Sequence, residues 1–208
     1  MTLDLEMPAR RKPEMSGAKS PDCKSQASGS LPPCPVIRTP RLTLRPHALS
    51  DAEAITASLC DFGVARMLLR VPQPYHLGDA REWLETEANA GTAWNAAITE
   101  KDDAHIGVVS IEKLRNGWHL GYWLNRQAWG RGIMSEAAWA LVAAFFRQRP
   151  DSTVLSGVFA DNTASLKVQA KLGFAISGIA DVYVPARSAT VNRIETRLTR
   201  DAFAPATE

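Results

Sequence analysis

Cysteine and histidine are scarce in this chain, and the few present are dispersed. Three cysteines and four histidines occur in 208 residues, with no Cys-x-x-Cys pair and no histidines at metal-ligand spacing. That excludes a disulfide scaffold and any zinc motif legible from spacing, so no metal is expected. Cys60 stands alone and reads as a small buried apolar residue rather than a reactive thiol. Charge of one sign is also lacking. The formal net charge is only +2, which gives no bulk electrostatic reason to expect a nucleic acid or membrane partner. Long apolar runs are missing too, since the stretch 137–146 is too short to span a bilayer. Arg10-Arg11 is followed by Lys12, Pro13 and Glu14 rather than an apolar segment, so no secretion signal is read there. A cytoplasmic protein is expected.

What the chain does have is uneven along its length. Residues 1–35 carry Pro8, Pro13, Pro21, Pro32, Pro33 and Pro35 among Ser, Lys, Gly and Asp, with no aromatic residue. Such a segment buries too little apolar surface to offset its ordering entropy, so a disordered N-terminal extension is expected over 1–35 and one folded domain over 36–208.

Within that domain Arg41-Leu42-Thr43-Leu44-Arg45 alternates polar and apolar residues, the period of a half-buried strand. Ser50 and Glu53 have capping-box spacing for a helix whose apolar face is Ala54, Ile55, Leu59 and Phe62. A second helix is expected over 79–90, with Trp83, Leu84 and Ala88 as its buried stripe. Strand patterns follow over 92–99, 105–114 and 118–124, and Asn116-Gly117 between the last two is a hairpin turn signal. The period then changes to 3.6: Ile133, Ala137, Leu141 and Phe145 share one wide face with Met134, Ala138, Val142 and Phe146. A buried strand over 153–159, a helix over 162–172 ended by Gly173, and strands over 175–184 and 190–198 complete the order. This mixture predicts an α/β (mixed α+β) fold around a central mixed sheet.

The junction of strand 118–124 with the next helix carries the clearest chemistry. Backbone N–H groups at a helix start lack intrahelical partners, and the helix dipole favours an anion there. Gly130 and Gly132 remove side chains where a phosphate would approach, and Arg126 and Arg131 add positive charge. Two glycines in a short loop can equally be an ordinary turn. Order decides between the readings: hairpin, loop, amphipathic helix, buried strand, then Asn162-x-x-Ser165 and Lys171-Leu172-Gly173-Phe174.

That order resembles the GNAT superfamily of N-acetyltransferases. Gly121-Tyr122-Trp123-Leu124 through Gln127-x-x-Gly130-x-Gly132 is similar to its acetyl-CoA motif. The segment 162–174, with the opening Thr39-Pro40-Arg41-Leu42-Thr43-Leu44-Arg45, resembles the ribosomal-protein N-terminal (alanine/serine) acetyltransferase-like branch. The resemblance spans about 36–203 and implies the GNAT fold, a mostly antiparallel sheet of about seven strands flanked by about four helices. It implies acetyl-CoA as co-substrate, lying in an opening between the fourth and fifth strands. Cofactor contacts would come from Trp123, Leu124, Gln127, Trp129, Gly130, Arg131, Gly132, Asn162 and Ser165. Asn162 also suits the N-cap of the helix that follows it.

Acetyl transfer to an amine requires a neutral amine, a polarised thioester and a proton for the leaving thiolate. Many relatives place a Glu base on the fourth strand, where this chain has His119; an imidazole can serve instead. Glu112, on the neighbouring strand, is the competing base. A Tyr common among relatives is replaced here by Gln169, and the resemblance offers Ser165 as proton donor, with Tyr122 and Tyr183 better read as packing. The expected acceptor is a primary amine, on a protein N-terminus by resemblance or on a small molecule such as an antibiotic, amino acid or polyamine. A non-catalytic acyl-CoA-binding module stays open because of Gln169 and His119. No residue pattern fixes the oligomeric state, and a homodimer is allowed for.

Overall fold

The computed structural model describes residues 31–86, 88, 93–100 and 102–204. Among the described residues eight strands form one sheet: β1 (Ile37–Arg38), β2 (Thr43–Arg45), β3 (Ala93–Thr99), β4 (His105–Leu114), β5 (Gly117–Leu124), β6 (Val154–Phe159), β7 (Ala175–Val184) and β8 (Ala189–Leu198). Five helices accompany them: α1 (Ala52–Cys60), α2 (Phe62–Ala65), α3 (Leu77–Thr86), α4 (Ile133–Gln148) and α5 (Thr163–Leu172). The strand order is β1-β2-β3-β4-β5-β6-β8-β7, and every pair is antiparallel except β5–β6. This is the mixed α+β architecture expected, with the two-residue β1 added at the edge.

Side chains alternate across the sheet, so each face receives its own helices. One face packs against α4 and α5 around Trp94, Ile98, Ile111, Leu120, Leu141, Phe145 and Phe146. Each such fully buried side chain contributes about 1.5–3 kcal/mol relative to exposure. α4 has the predicted apolar face, and Ile133, Met134, Ala137, Ala138, Leu141, Val142, Phe145 and Phe146 are all buried. The other face carries α1 and α3 on a smaller cluster of Ile55, Leu59, Tyr75 and Leu84, with Trp123 packed against it. α5 begins at Asn162, whose side chain accepts from Ser165 N–H, and ends at Gly173 with φ +94°. A Cβ at Gly173 would collide with the carbonyl of Ala202.

Several local expectations shift. Ser50 does not cap α1; it lies in a short 3-10 turn, Leu49–Asp51, and the Asp51 carboxylate accepts the Ala48 N–H at 2.9 Å. Asp51 wins that role because Arg45 clamps it from β2, with Nη1–Oδ2 at 2.9 Å and Nη2–Oδ1 at 2.8 Å. Phe62 is 54% exposed because the chain breaks at Asp61 before α2 begins. Cys60 is exposed, not buried, and its Sγ contacts the Tyr75 carbonyl at 3.2 Å. α3 starts at Leu77 and is followed to Thr86; the rest of the stretch expected to 90 lies outside the described residues, apart from buried Ala88. Of the extension expected over 1–35, residues 1–30 lie outside the described residues. Leu31 is buried in the main core and Pro32 O accepts the Trp94 indole N–H at 2.8 Å. No helix among the described residues is long and apolar enough to cross a membrane.

Candidate active site

The parallel ladder between β5 and β6 is short. It pairs Trp118 with Val154 and His119 with Leu155, and then the two strands part. Within a strand, the N–H and C=O of one residue point to the same edge, and successive residues alternate. Ser156 Oγ donates to Leu120 O at 2.9 Å, and Asn125 N donates to Ile106 O at 2.8 Å toward β4. Tyr122, in phase with Leu120, therefore turns its backbone N–H and C=O toward the opening. Leu124 shares that phase, and its carbonyl accepts the Trp129 indole N–H at 3.0 Å.

A buried relay pins the point of divergence. Gln169 Nε2 donates to Ser156 Oγ at 2.8 Å, and Thr196 Oγ1 donates to Gln169 Oε1 at 2.7 Å. Gln169 is only 2% exposed. The relay ties β5, β6, α5 and β8 together where the sheet opens, which a phenol at this position could not do in the same way. The sequence signalled only that an expected Tyr was missing.

The loop after β5 forms as expected, by a partly different set of groups. Asn125 caps a 3-10 turn, Arg126–Ala128, and the N–H groups of Ala128 and Trp129 are used on Asn125 and Arg126. Gly130 and Gly132 have φ +75° and +73°, the left-handed region that favours glycine. Gly132 is the N-cap of α4 and provides no side-chain cap, so the first-turn N–H groups point outward with the positive end of the dipole. The expected cations are otherwise engaged. Arg131 Nη2 sits 2.6 Å from Glu100 Oε1, and Arg126 Nη1 3.6 Å from Asp61 Oδ1. Arg41 bonds Glu136 and the Arg131 carbonyl, bracing the loop from β2's approach. Gln127 is exposed on the loop surface. The groups of this loop suited to an anion are the backbone N–H groups from Gly130 onward.

The candidate catalytic residues fall on both faces of the sheet. Glu112 and His119 are direct cross-strand partners on the α1/α3 face. His119 Nε2 meets Asn116 Oδ1 at 2.8 Å; the amide oxygen can only accept, so the ring proton sits on Nε2 and Nδ1 keeps a lone pair. Partial burial lowers the His119 pKa below the ordinary imidazole value, and Arg193 pushes the same way. Glu112 is bound to Arg70 at 2.7 Å. On the opposite face, Tyr122 Oη lies 2.8 Å from Ser165 Oγ. Burial raises the Tyr122 pKa to about 12, so it is protonated at neutral pH. Sequence reasoning placed Ser165 and left Tyr122 as packing; the fold couples them.

Ion pairs absent from the sequence reading cross the opening on the α1 side. Asp61 reaches Arg126 at the end of β5, while Arg66 meets Asp161 at 2.9 Å at the end of β6. Arg187, from the turn between β7 and β8, joins Asp161 at 2.9 Å and the Arg66 carbonyl at 2.6 Å. α2 is thereby tethered to both arms of the divergence.

Known proteins share this fold. The acetyltransferase (GNAT) domain profile matches residues 41–175. A probable N-acetyltransferase of Bacillus subtilis, YjcK, is 35% identical over 156 residues, which is 70% of this chain and 86% of its own. The ribosomal-protein-S5-alanine acetyltransferase of Vibrio fischeri superposes with a TM-score of 0.68 at 22% identity, covering 82% of this chain and 99% of its own. A ribosomal L7/L12 alpha-N-protein acetyltransferase in complex with coenzyme A gives a TM-score of 0.70 at 22% identity, covering 82% and 99%. With a diverging β5–β6 pair, a left-handed glycine loop at the start of α4 and a profile match over most of the domain, the chain belongs to the GNAT family of acetyltransferases.

Proposed function

We propose that the chain transfers the acetyl group of acetyl-CoA to a primary amine by direct attack on the thioester, with the α-amine of a protein N-terminus as acceptor. The observation that carries the reading is the end of the β5–β6 ladder at His119↔Leu155, beside the open N-terminus of α4. N–H groups from Gly130 into the first turn of α4 hold the pyrophosphate. The Tyr122 backbone N–H polarises the thioester carbonyl. Asn162 keeps amide donors beyond its capping bond for the pantetheine arm. Trp123, Leu124, Gln127, Trp129 and Arg131 frame the same arm and loop.

His119 Nδ1 takes the proton of the attacking amine, with Glu112 beside it as the second acceptor. The amine nitrogen bonds to the acetyl carbon, the carbon–sulfur bond breaks, and the thiolate takes its proton from Ser165 Oγ, with the Tyr122 hydroxyl behind it. Base and acid thus approach the thioester from opposite sides of the sheet. The protein-terminus acceptor is supported by the two solved relatives named for acetylating ribosomal proteins. A small amine is the second reading, favoured by the tethering of α2 across the opening.

The test is release of free coenzyme A thiol from acetyl-CoA with a panel of acceptors: peptides with free and blocked N-termini, amino acids and polyamines. Turnover confined to free-terminus peptides is the expected result. Turnover only on small amines establishes the second reading, and binding of acetyl-CoA without turnover on any acceptor rejects both.

A further inference from the structure

Away from the acyl-transfer site, the fold gathers three buried metal-ligand types that lie far apart in sequence. His47 follows β2, Asp51 ends the 3-10 turn four residues later, and His105 opens β4. One ligand atom from each lies within 4.8 Å of the others, and their residues are 6%, 4% and 8% exposed. We propose that His47, Asp51 and His105 bind one zinc ion, at a site distinct from the one that takes the thioester.

The geometry suits this ion. His47 Nδ1 and Asp51 Oδ2 are 3.7 Å apart. Two ligand atoms on a tetrahedral zinc with bonds of about 2.0–2.1 Å are separated by about 3.4 Å, so that pair needs only a small adjustment. The widest separation, up to 4.8 Å, has to shorten by about 1.4 Å for tetrahedral coordination. Both ring nitrogens of His105 are buried and make no hydrogen bond, in a side chain more than nine-tenths buried. A buried imidazole without a partner is the feature that asks for an occupant. Two imidazoles and a carboxylate are a borderline donor set that suits zinc ahead of magnesium or calcium, which favour all-oxygen sites.

Arg45 competes for the carboxylate, holding both its oxygens. Oδ2 already accepts from Arg45 Nη1 and the Ala48 N–H, so zinc there would take the place of the His47 contact and loosen one of those two bonds. Arg45 also fixes the carboxylate's orientation, the outer role that carboxylate partners commonly play around a metal. Three protein ligands leave a fourth position for a water. The site would clip the 46–51 turn to the start of β4. The next residue there, Ile106, accepts the Asn125 N–H that begins the cofactor loop.

Two tryptophans report on the site. Trp83 is 5.0 Å from the His47 ring and Trp123 5.8 Å from the His105 ring. The experiment uses the full-length, tag-free chain with Cys60→Ser and His76→Ala to remove exposed adventitious ligands. Metal is stripped with chelator, and zinc or cobalt is returned by equilibrium dialysis. One equivalent per chain is expected, with tetrahedral ligand-field bands for cobalt and quenching of tryptophan fluorescence. His105→Phe, similar in shape but without ligand atoms, should reduce occupancy more than tenfold. His47→Phe provides the same reading if His105→Phe fails to fold. Absence of binding, octahedral cobalt spectra, or binding unchanged by either variant would overturn the proposal. Thiol release is measured in parallel, because the zinc site stands or falls without the acceptor assignment.

Discussion

Replacing Gln169 with Leu tests whether the relay sets the geometry of the opening. The substitution removes the donor to Ser156 Oγ and the acceptor of the Thr196 hydroxyl, both inside the protein. The two losses are unequal. Ser156 retains its bond to the Leu120 carbonyl and so keeps its donor satisfied, whereas Thr196, 3% exposed, is left with a buried hydroxyl and no acceptor. The orphaned Thr196 donor costs about 1–3 kcal/mol, and the lost bond to Ser156 about 1 kcal/mol. Added leucine hydrophobicity offsets about 1 kcal/mol. The net expectation is about 1–3 kcal/mol, a fall in Tm of roughly 2–12 °C for a chain of this size. Thr196→Val combined with Gln169→Leu should recover about 1–2 kcal/mol, because the orphaned hydroxyl is gone. Urea unfolding of the wild type, both single variants and the double variant measures this directly. If the double variant is no more stable than Gln169→Leu alone, the orphaned hydroxyl is not the dominant cost and the reasoning fails. A KM for acetyl-CoA raised in Gln169→Leu would show in addition that the relay holds the strands at their divergence.

Gly130→Ala should cost about 1–2 kcal/mol from its left-handed backbone, since no atom lies within 4 Å of the new methyl. A rise in acetyl-CoA KM larger than that strain explains would place the methyl against the pyrophosphate; an unchanged KM would remove Gly130 from the binding loop. His119 acts as base only when neutral, and its depressed pKa keeps it neutral below the ordinary imidazole range. Activity should therefore hold through neutrality and fall only as pH drops through the lowered value. Arg193→Gln, removing a cation that lowers this pKa, should move the acidic limb of kcat/KM to higher pH, and His119→Ala should abolish that limb. Tyr122→Phe should lower kcat by about tenfold or more with little change in acetyl-CoA KM, if the Ser165–Tyr122 pair delivers the proton; equal loss in kcat and in thermal stability would mark the pair as structural. Gly173→Ala should destabilise by about 2–5 kcal/mol, from left-handed strain plus the clash with Ala202 O, measured by thermal unfolding.

The features legible in the sequence are those decided by near neighbours. The apolar period of 133–146 makes α4, because residues three and four apart share a helical face. Asn162 and Gly173 bound α5 because a cap acts within one turn. Gly130 and Gly132 bend the loop through their own backbone freedom. These, in order along the chain, carry the family. What the sequence did not show depended on partners brought from elsewhere. Arg131 lies against Glu100, and Ser50 sits in a 3-10 turn beside Asp51, whose carboxylate is held by Arg45 and makes no side-chain cap to α1. Tyr122 meets Ser165 only because α5 lies across β5, and Gln169 finds Ser156 and Thr196 only through the order β5-β6-β8. His47 and His105, far apart along the chain, become neighbours where the end of β2 folds toward the start of β4. Hydrogen bonds and ion pairs reach only a few ångströms, so strand order and helix placement, not spacing along the chain, decide which of them form.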